Sequence, residues 1–213
     1  MITIDRLEAL AHREHWIRIC LSDGSVIKTQ DYVVADLGLF KGMDLDEMKL
    51  RQLHDAVGLA SAKNRAVRIA TASAVSKKEL QYRLTQKGES GEYAEAAVRW
   101  LSDLELLDDR KTAEQLVRIA VNKGYGKARI KQILFEKRIP QQYWEEALEL
   151  IPEMDEAVDR FLSRRLKGRE PDEKELKRTI DALLRRGHSW PDIRAGLRRY
   201  SVALDVYQEE GYE

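Results

Sequence analysis

The chain has 213 residues, of which 43% are apolar and 35% charged, with 12 Gly, 4 Pro and 1 Cys. Such a composition excludes a loop-rich, disordered or disulfide-stapled protein, and no apolar run approaches the roughly 18–20 residues that cross a bilayer. The 37 basic and 37 acidic residues cancel overall. Residues 160–200 nevertheless hold 13 Lys or Arg against 6 Asp or Glu, whereas residues 1–60 hold 7 against 10.

The first sixty residues predict a small α+β module. The start, MITIDRLEALAHREHW, carries acids and lacks a small-residue cleavage site, so a cytoplasmic chain is expected. Ile17, Ile19 and Leu21 alternate at period two, Ser22-Asp23-Gly24-Ser25 supplies a turn, and Val26-Ile27-Lys28-Thr29 returns as a second strand. A lone ribbon is marginal in water, so residues 1–9 are expected to add a third strand. A short helix is expected over Asp31–Leu39. A second follows Asp44-Leu45-Asp46-Glu47, read as a capping box with Asp44 at the N-cap, and runs to about Val57 with Met48, Leu53 and Val57 inward.

From Ser61 onward the pattern is helical and recurs. Ser76-Lys-Lys-Glu-Leu-Gln-Tyr-Arg-Leu-Thr-Gln-Lys-Gly88 matches Gly126-Lys-Ala-Arg-Ile-Lys-Gln-Ile-Leu-Phe-Glu-Lys-Arg138 and then 175–187 in register. A small-then-apolar pair follows each time: Ala97-Val98, Ala147-Leu148 and Gly196-Leu197. Amphipathic stretches at 63–73, 110–122 and 153–167 precede each copy. A repeat of about 45–50 residues with three helices belongs to solenoid-like arrays. The expected architecture is mainly α: an N-terminal module containing a β-hairpin over 1–60, three-helix repeats over 61–109, 110–152 and 153–213 (the last with a C-terminal tail), and an elongated, curved array.

Catalytic and metal-binding patterns are weak. Lys123-Gly-Tyr-Gly-Lys127 lacks the spacing and the preceding strand of a phosphate loop. His12, His15, His54 and His188 form no ligand spacing, Cys20 has no base at motif distance, and Asp108-Asp109 reads as a helix cap. No cofactor is expected, and a non-enzymatic binding protein is. Trp100, Tyr143, Trp144 and Trp190 fall where third helices pack, so they are expected in the core.

The basic residues carry the functional signal. Lys77, Lys78, Arg83 and Lys87 lie on the first middle helix, Lys127, Arg129, Lys131 and Lys137 on the second, and Lys177, Arg178, Arg185, Arg186, Arg198 and Arg199 in the third repeat. They suit either a nucleic-acid backbone or an acidic protein surface. The competing reading is that they solvate outer faces and pair at i,i+4.

The ordered set of Ser76–Gly88, then Leu101-Ser-Asp-Leu-Glu-Leu-Leu-Asp-Asp109 with Ala113, then Lys123–Ile130 and Leu183–Gly187 resembles the RecX family of bacterial regulators of the RecA recombinase. The resemblance covers about 63–200, and the hairpin-plus-helix start is similar to the N-terminal extension of longer members. It implies an elongated, curved molecule lying along the groove of the RecA–DNA filament, where it hinders ATP turnover and strand exchange and limits filament growth. A monomer that also touches DNA phosphates is expected. The alternative is a stand-alone nucleic-acid-binding module. Two positions depart from the pattern. Arg138 stands where the family has Gly, implying a strained or differently built turn, and Thr179 stands where the other repeats are apolar.

Overall fold

A computed structural model describes residues 2–153, 155–167 and 171–200. The expected C-terminal tail beyond 200 lies outside the described residues. Two units divide the chain, Met1–Leu107 and Asp108–Glu213.

Unit one opens on strands β1 (Ile2–Ala9), β2 (Trp16–Leu21) and β3 (Val26–Gln30), with a two-residue β4 (Asp44–Leu45), in the antiparallel order β3-β2-β1-β4. The third strand expected from residues 1–9 is therefore present; β4 is too short to leave a pattern. Ile19 faces Ile27 across the hairpin, and Ile4 faces Leu21 across β1–β2. An irregularity between Ile4 and Arg6 admits Asp5 as an extra residue. That phase shift lets both Ile4 and Leu7 point inward on one strand. Their core holds Ile4, Ile19, Leu21, Leu39, Leu45 and Leu53.

The helices of unit one correct several expectations. Helix α1 spans Asp31–Asp36 and stops before Leu39, with Gly38 at φ 58°. The next helix, α2, is capped by Asp46, whose carboxylate accepts from the Lys49 N–H, and not by Asp44, which sits in β4 and accepts from the Thr3 hydroxyl. Met48 is 67% exposed while Leu53 is fully buried. Most importantly, α2 does not end near Val57 but runs unbroken over Glu47–Ala72. Gly58, just past the expected end, is a packing notch. A Cβ there would lie 2.3 Å from the Tyr93 ring, whose hydroxyl donates to Asp55 at 2.7 Å. The expected boundary at 60/61 thus falls inside a helix that lines two cores. Its second half, with α3 (Lys77–Gln86) and α4 (Gly91–Asp103), encloses Ala62, Ala66, Leu80, Leu84, Ala97 and Leu101.

Unit two holds two further helix triplets. The first is α5 (Asp109–Asn122), α6 (Lys127–Glu136) and, after a 3-10 turn at Gln141–Tyr143, α7 (Trp144–Glu149). The second is α8 (Asp155–Leu166), α9 (Glu173–Arg185) and α10 (Trp190–Arg199). Register holds at the buried positions: Leu80 and Leu84 in α3 correspond to Ile130 and Leu134 in α6, and to Thr179 and Leu183 in α9. Thr179 is tolerated there because its hydroxyl donates to the Glu175 carbonyl at 2.7 Å and accepts from the Arg165 guanidinium at 3.1 Å. The indole N–H of Trp144 donates to the Ile139 carbonyl, and Trp100 and Trp190 pack half-buried against their cores.

All three middle helices end in the same turn. The N–H groups of Glu89, Ile139 and His188 donate to the carbonyls of Leu84, Leu134 and Leu183, with a left-handed residue just before each donor. That residue is Gly88 (φ 89°), Arg138 (φ 54°) and Gly187 (φ 83°). The turn at Arg138 is therefore the same as its two glycine-bearing counterparts, held in the left-handed region by a side-chain-bearing residue at a cost of roughly 1 kcal/mol.

Between α6 and α9 the two triplets are joined main chain to main chain. The Gly126 N–H donates to the Arg186 carbonyl at 2.9 Å and the Ala128 N–H to the Gly187 carbonyl at 3.1 Å. The C-terminal end of α9 thereby caps the N-terminal end of α6, which has no side-chain cap of its own. A Cβ on Gly126 would lie 2.2 Å from the Gly187 carbonyl oxygen, and one on Gly187 would lie 2.2 Å from the Arg129 nitrogen. His188, 4% exposed, bonds through Nε2 to the Gly124 carbonyl at 3.1 Å. The Arg186 guanidinium donates to the Lys123 carbonyl and stacks on Tyr125 and Phe161.

Two outcomes follow from this joint. Gly126→Ala and Gly187→Ala should each destabilise the protein by more than about 2 kcal/mol in chemical unfolding, because backbone must move. Gly88→Ala, with nothing within 4 Å of its Cβ, should cost only about 1 kcal/mol. Burial pushes the His188 pKa below its ordinary 6.5. The folded chain therefore holds the imidazole proton less tightly than the unfolded chain does. Its stability contribution is thus complete above about pH 6.5 and is lost as pH falls below that value. Urea midpoints at about pH 7.5 and about pH 5.5 should differ less in His188→Leu, which mirrors Ile139, than in the parent chain.

Candidate interaction surface

The expected basic residues separate into those the fold uses and those it leaves facing solvent. Arg83, Arg129, Arg186 and Arg199 are among those engaged within the chain, as are Lys77 and Lys137. Arg83 pairs with Glu79 one turn back at 2.7 Å, and the acid is mostly buried. Arg129 reaches Glu136 at 3.1 Å. Arg186 belongs to the joint described above. Arg199 grips Asp159 with two parallel hydrogen bonds, at 2.9 and 2.8 Å, and reaches Asp155 at 3.1 Å, tying α10 to α8. Such forked pairs are geometrically specific and hold neighbouring helices in register.

Several basic residues are exposed, whether or not they also have a partner. Lys77 and Lys78 occupy the exposed first turn of α3, and Lys87 its exposed C-cap. Lys127 and Lys131 lie one turn apart on the exposed side of α6, and Lys137, half-buried, closes that helix. Lys177, Arg178 and Arg185 are exposed on α9, and Arg198 on α10. Arg178 and Arg185 stand seven residues apart and share a stripe with Lys174.

Position on the helix sharpens the argument. Lys77, Lys78 and Lys127 sit at helix N-termini, where the macrodipole disfavours a cation by about 0.3–1 kcal/mol each. Helix stability does not call for them there. Phe135, 72% exposed, lies one turn beyond Lys131 on α6, adding an apolar element to that stripe. Protein interfaces favour this combination of apolar anchor and flanking charge.

The acids that engage Arg199 and Arg129 escaped sequence reasoning. Asp159 is 40 residues from Arg199, and Glu136 is seven from Arg129, outside the i,i+3 and i,i+4 spacings that signal helix pairs. Glu89, in register with Ile139 and His188, is likewise held by Ser61 at 3.0 Å and Arg65 at 2.7 Å. Asp108 caps α5 by accepting from the N–H groups of Arg110 and Lys111, as its place before an amphipathic stretch suggested. Among the described residues no three His, Cys, Asp or Glu side chains gather as a metal site, and no helix is long and apolar enough to cross a membrane.

Known proteins give a consistent match. A family model described as "RecX, second three-helix domain" fits residues 108–148, the α5–α7 triplet. The regulatory protein RecX of Vibrio parahaemolyticus is 32% identical over 117 residues, covering 54% of this chain and 76% of that one. The RecX of Vibrio campbellii is 30% identical over 135 residues, covering 62% and 87%. A crystal structure of a regulatory protein RecX superposes with a TM-score of 0.64 at 22% identity over 93% of this chain and all of the other. That of RecX from Lactobacillus salivarius gives 0.56 at 23% identity, covering 68% and 97%; at such identities both speak to fold. With the helix triplets in register and relatives matched over most of their length, this chain belongs to the RecX family.

Proposed function

We propose that this chain is a cytoplasmic, monomeric, non-enzymatic regulator that binds the RecA recombinase on DNA and lowers its ATP turnover, strand exchange and filament growth. The observation that carries the reading is the set of exposed basic side chains that each middle helix presents, Lys78 on α3, Lys127 and Lys131 on α6, and Lys177, Arg178 and Arg185 on α9. A regulator of a filament requires a distributed surface and no pocket. Charged residues spaced along successive helices supply one, and the carboxylates of a protein filament or the phosphates of its DNA supply the complement. The relatives are themselves named regulatory proteins, which supports binding over catalysis.

The engaged residues divide the expected surface into two classes with different consequences. Lys127→Glu/Lys131→Glu and Arg178→Glu/Arg185→Glu place charge reversals on exposed helix stripes, so folding should be preserved. Arg186→Glu breaks the Lys123 hydrogen bond and two ring contacts, so it should lower stability.

Titrating the purified chain into a single-stranded-DNA-dependent RecA ATPase assay tests the reading. Inhibition should be complete below equimolar ratio, and each exposed double reversal should raise the half-inhibitory concentration about ten-fold with an unchanged helical signal. No inhibition at equimolar ratio would sink the proposal. Arg186→Glu should instead show a lowered thermal midpoint, measured by circular dichroism, before any loss specific to inhibition.

A further inference from the structure

The helices of the N-terminal module build on one face of its sheet; the opposite face is differently furnished. Every strand residue of the module's core, from Ile4 and Leu7 to Ile19, Leu21 and Ile27, comes from the inner face. On the outer face the register sets Glu8 beside Arg18 and Arg18 beside Lys28, with Arg6 beside Cys20. Arg18 and Lys28 are therefore like charges directly opposite each other on neighbouring strands, an arrangement that costs stability. One carboxylate, Glu8, is shared between Arg6 at 3.3 Å and Arg18 at 3.7 Å. The Arg6 side chain remains 65% exposed, and Lys28 is exposed as well. At the end of the same face stands Trp16, half-buried, with the Arg13 guanidinium 5.3 Å from its ring centroid.

This segregation runs against the module's composition. Residues 1–60 are acidic overall, yet four of their seven basic residues gather on or beside this one face. A cationic face with an aromatic ring at its edge matches a polyanion whose repeating unit also carries a flat ring. Single strands bind in that way, by backbone phosphates on cations and bases stacked on aromatics. The major groove of duplex DNA admits a helix or a two-stranded ribbon, whereas the cations of this face are spread over three strands, β1 to β3.

We propose that the outer face of the N-terminal sheet binds single-stranded DNA, with phosphates on Arg6, Arg18 and Lys28 and a base against Trp16. The site is separate from the basic helix stripes and does not depend on their role.

Fluorescence anisotropy of a labelled oligo(dT) of about 12 nucleotides with the full chain tests it. Arg18→Glu/Lys28→Glu should weaken binding about ten-fold at low salt. It should also flatten the dependence of log K on log salt by about 1.4, because two cations leave the contact. Trp16→Leu should weaken binding several-fold and remove the tryptophan quenching that oligo(dT) causes. Lys127→Glu/Lys131→Glu should leave oligo(dT) affinity within about two-fold while still impairing ATPase inhibition, so the two surfaces fail separately. Should the sheet reversal disturb folding by circular dichroism, the milder Arg6→Gln/Lys28→Gln carries the same test. Unchanged oligo(dT) affinity in the folded sheet variants overturns the proposal. So does tighter binding of the duplex, or equal competition by polyglutamate, which would point to an acidic protein.

Discussion

The meeting of the C-terminal end of α9 with the N-terminal end of α6 organises the second unit. The last carbonyls of α9 and the first N–H groups of α6 are orphans in their own helices, and each set satisfies the other through bonds of 2.9 and 3.1 Å. The pairing also sets the negative end of one helix dipole against the positive end of the other. Main chains approach so closely only where side chains are absent, so Gly126 and Gly187 are consequences of the joint. His188 and Arg186 follow from it too. One is buried with its ring nitrogen on the Gly124 carbonyl, and the other seals the edge with aromatic contacts. The first repeat solves the same end differently, with the buried Ser76 side chain accepting from the Glu79 N–H.

Much of this fold is legible in the sequence, and the reasons are local. Period-two alternation around Asp23-Gly24 marks the hairpin, and the spacing of Leu80, Ile130 and Leu183 with their neighbours marks the middle helices. What escaped depends on partners far along the chain. The continuation of α2 past Val57 leaves no local signal, because nothing nearby in sequence announces the Tyr93 ring that packs on Gly58. Asp44 and Asp46 are both good caps by type; the pairing of Thr3 with Asp44 decides between them. Arg138 looked like an irregularity, yet the turn it occupies keeps the hydrogen bonds of its glycine-bearing counterparts.

The candidate surface was legible only in part, for a related reason. Composition identifies a lysine or arginine but not whether an acid awaits it across the fold. Arg199 and Arg186 were indistinguishable from Arg198 and Arg185 in sequence, although one of each adjacent pair is tied into the structure and the other faces water. Adjacent helical residues point about 100° apart, so such a division is expected once the buried stripe is known. The outer face of the sheet is faint in the sequence because period-two alternation marks which residues are buried and not what the residues between them share across strands.

The unbroken α2 makes the N-terminal module and the first repeat one mechanical element. At 26 residues it is about 39 Å long, with Leu53 in the sheet's core and Ala62 and Ala66 in the repeat's core. Neither core can lose its share of this helix without the other losing a wall. The two should therefore melt as a single cooperative block, although they look like separate modules in composition. A shaft of this kind also gives any force or ligand acting on the sheet a stiff route to the first helix triplet.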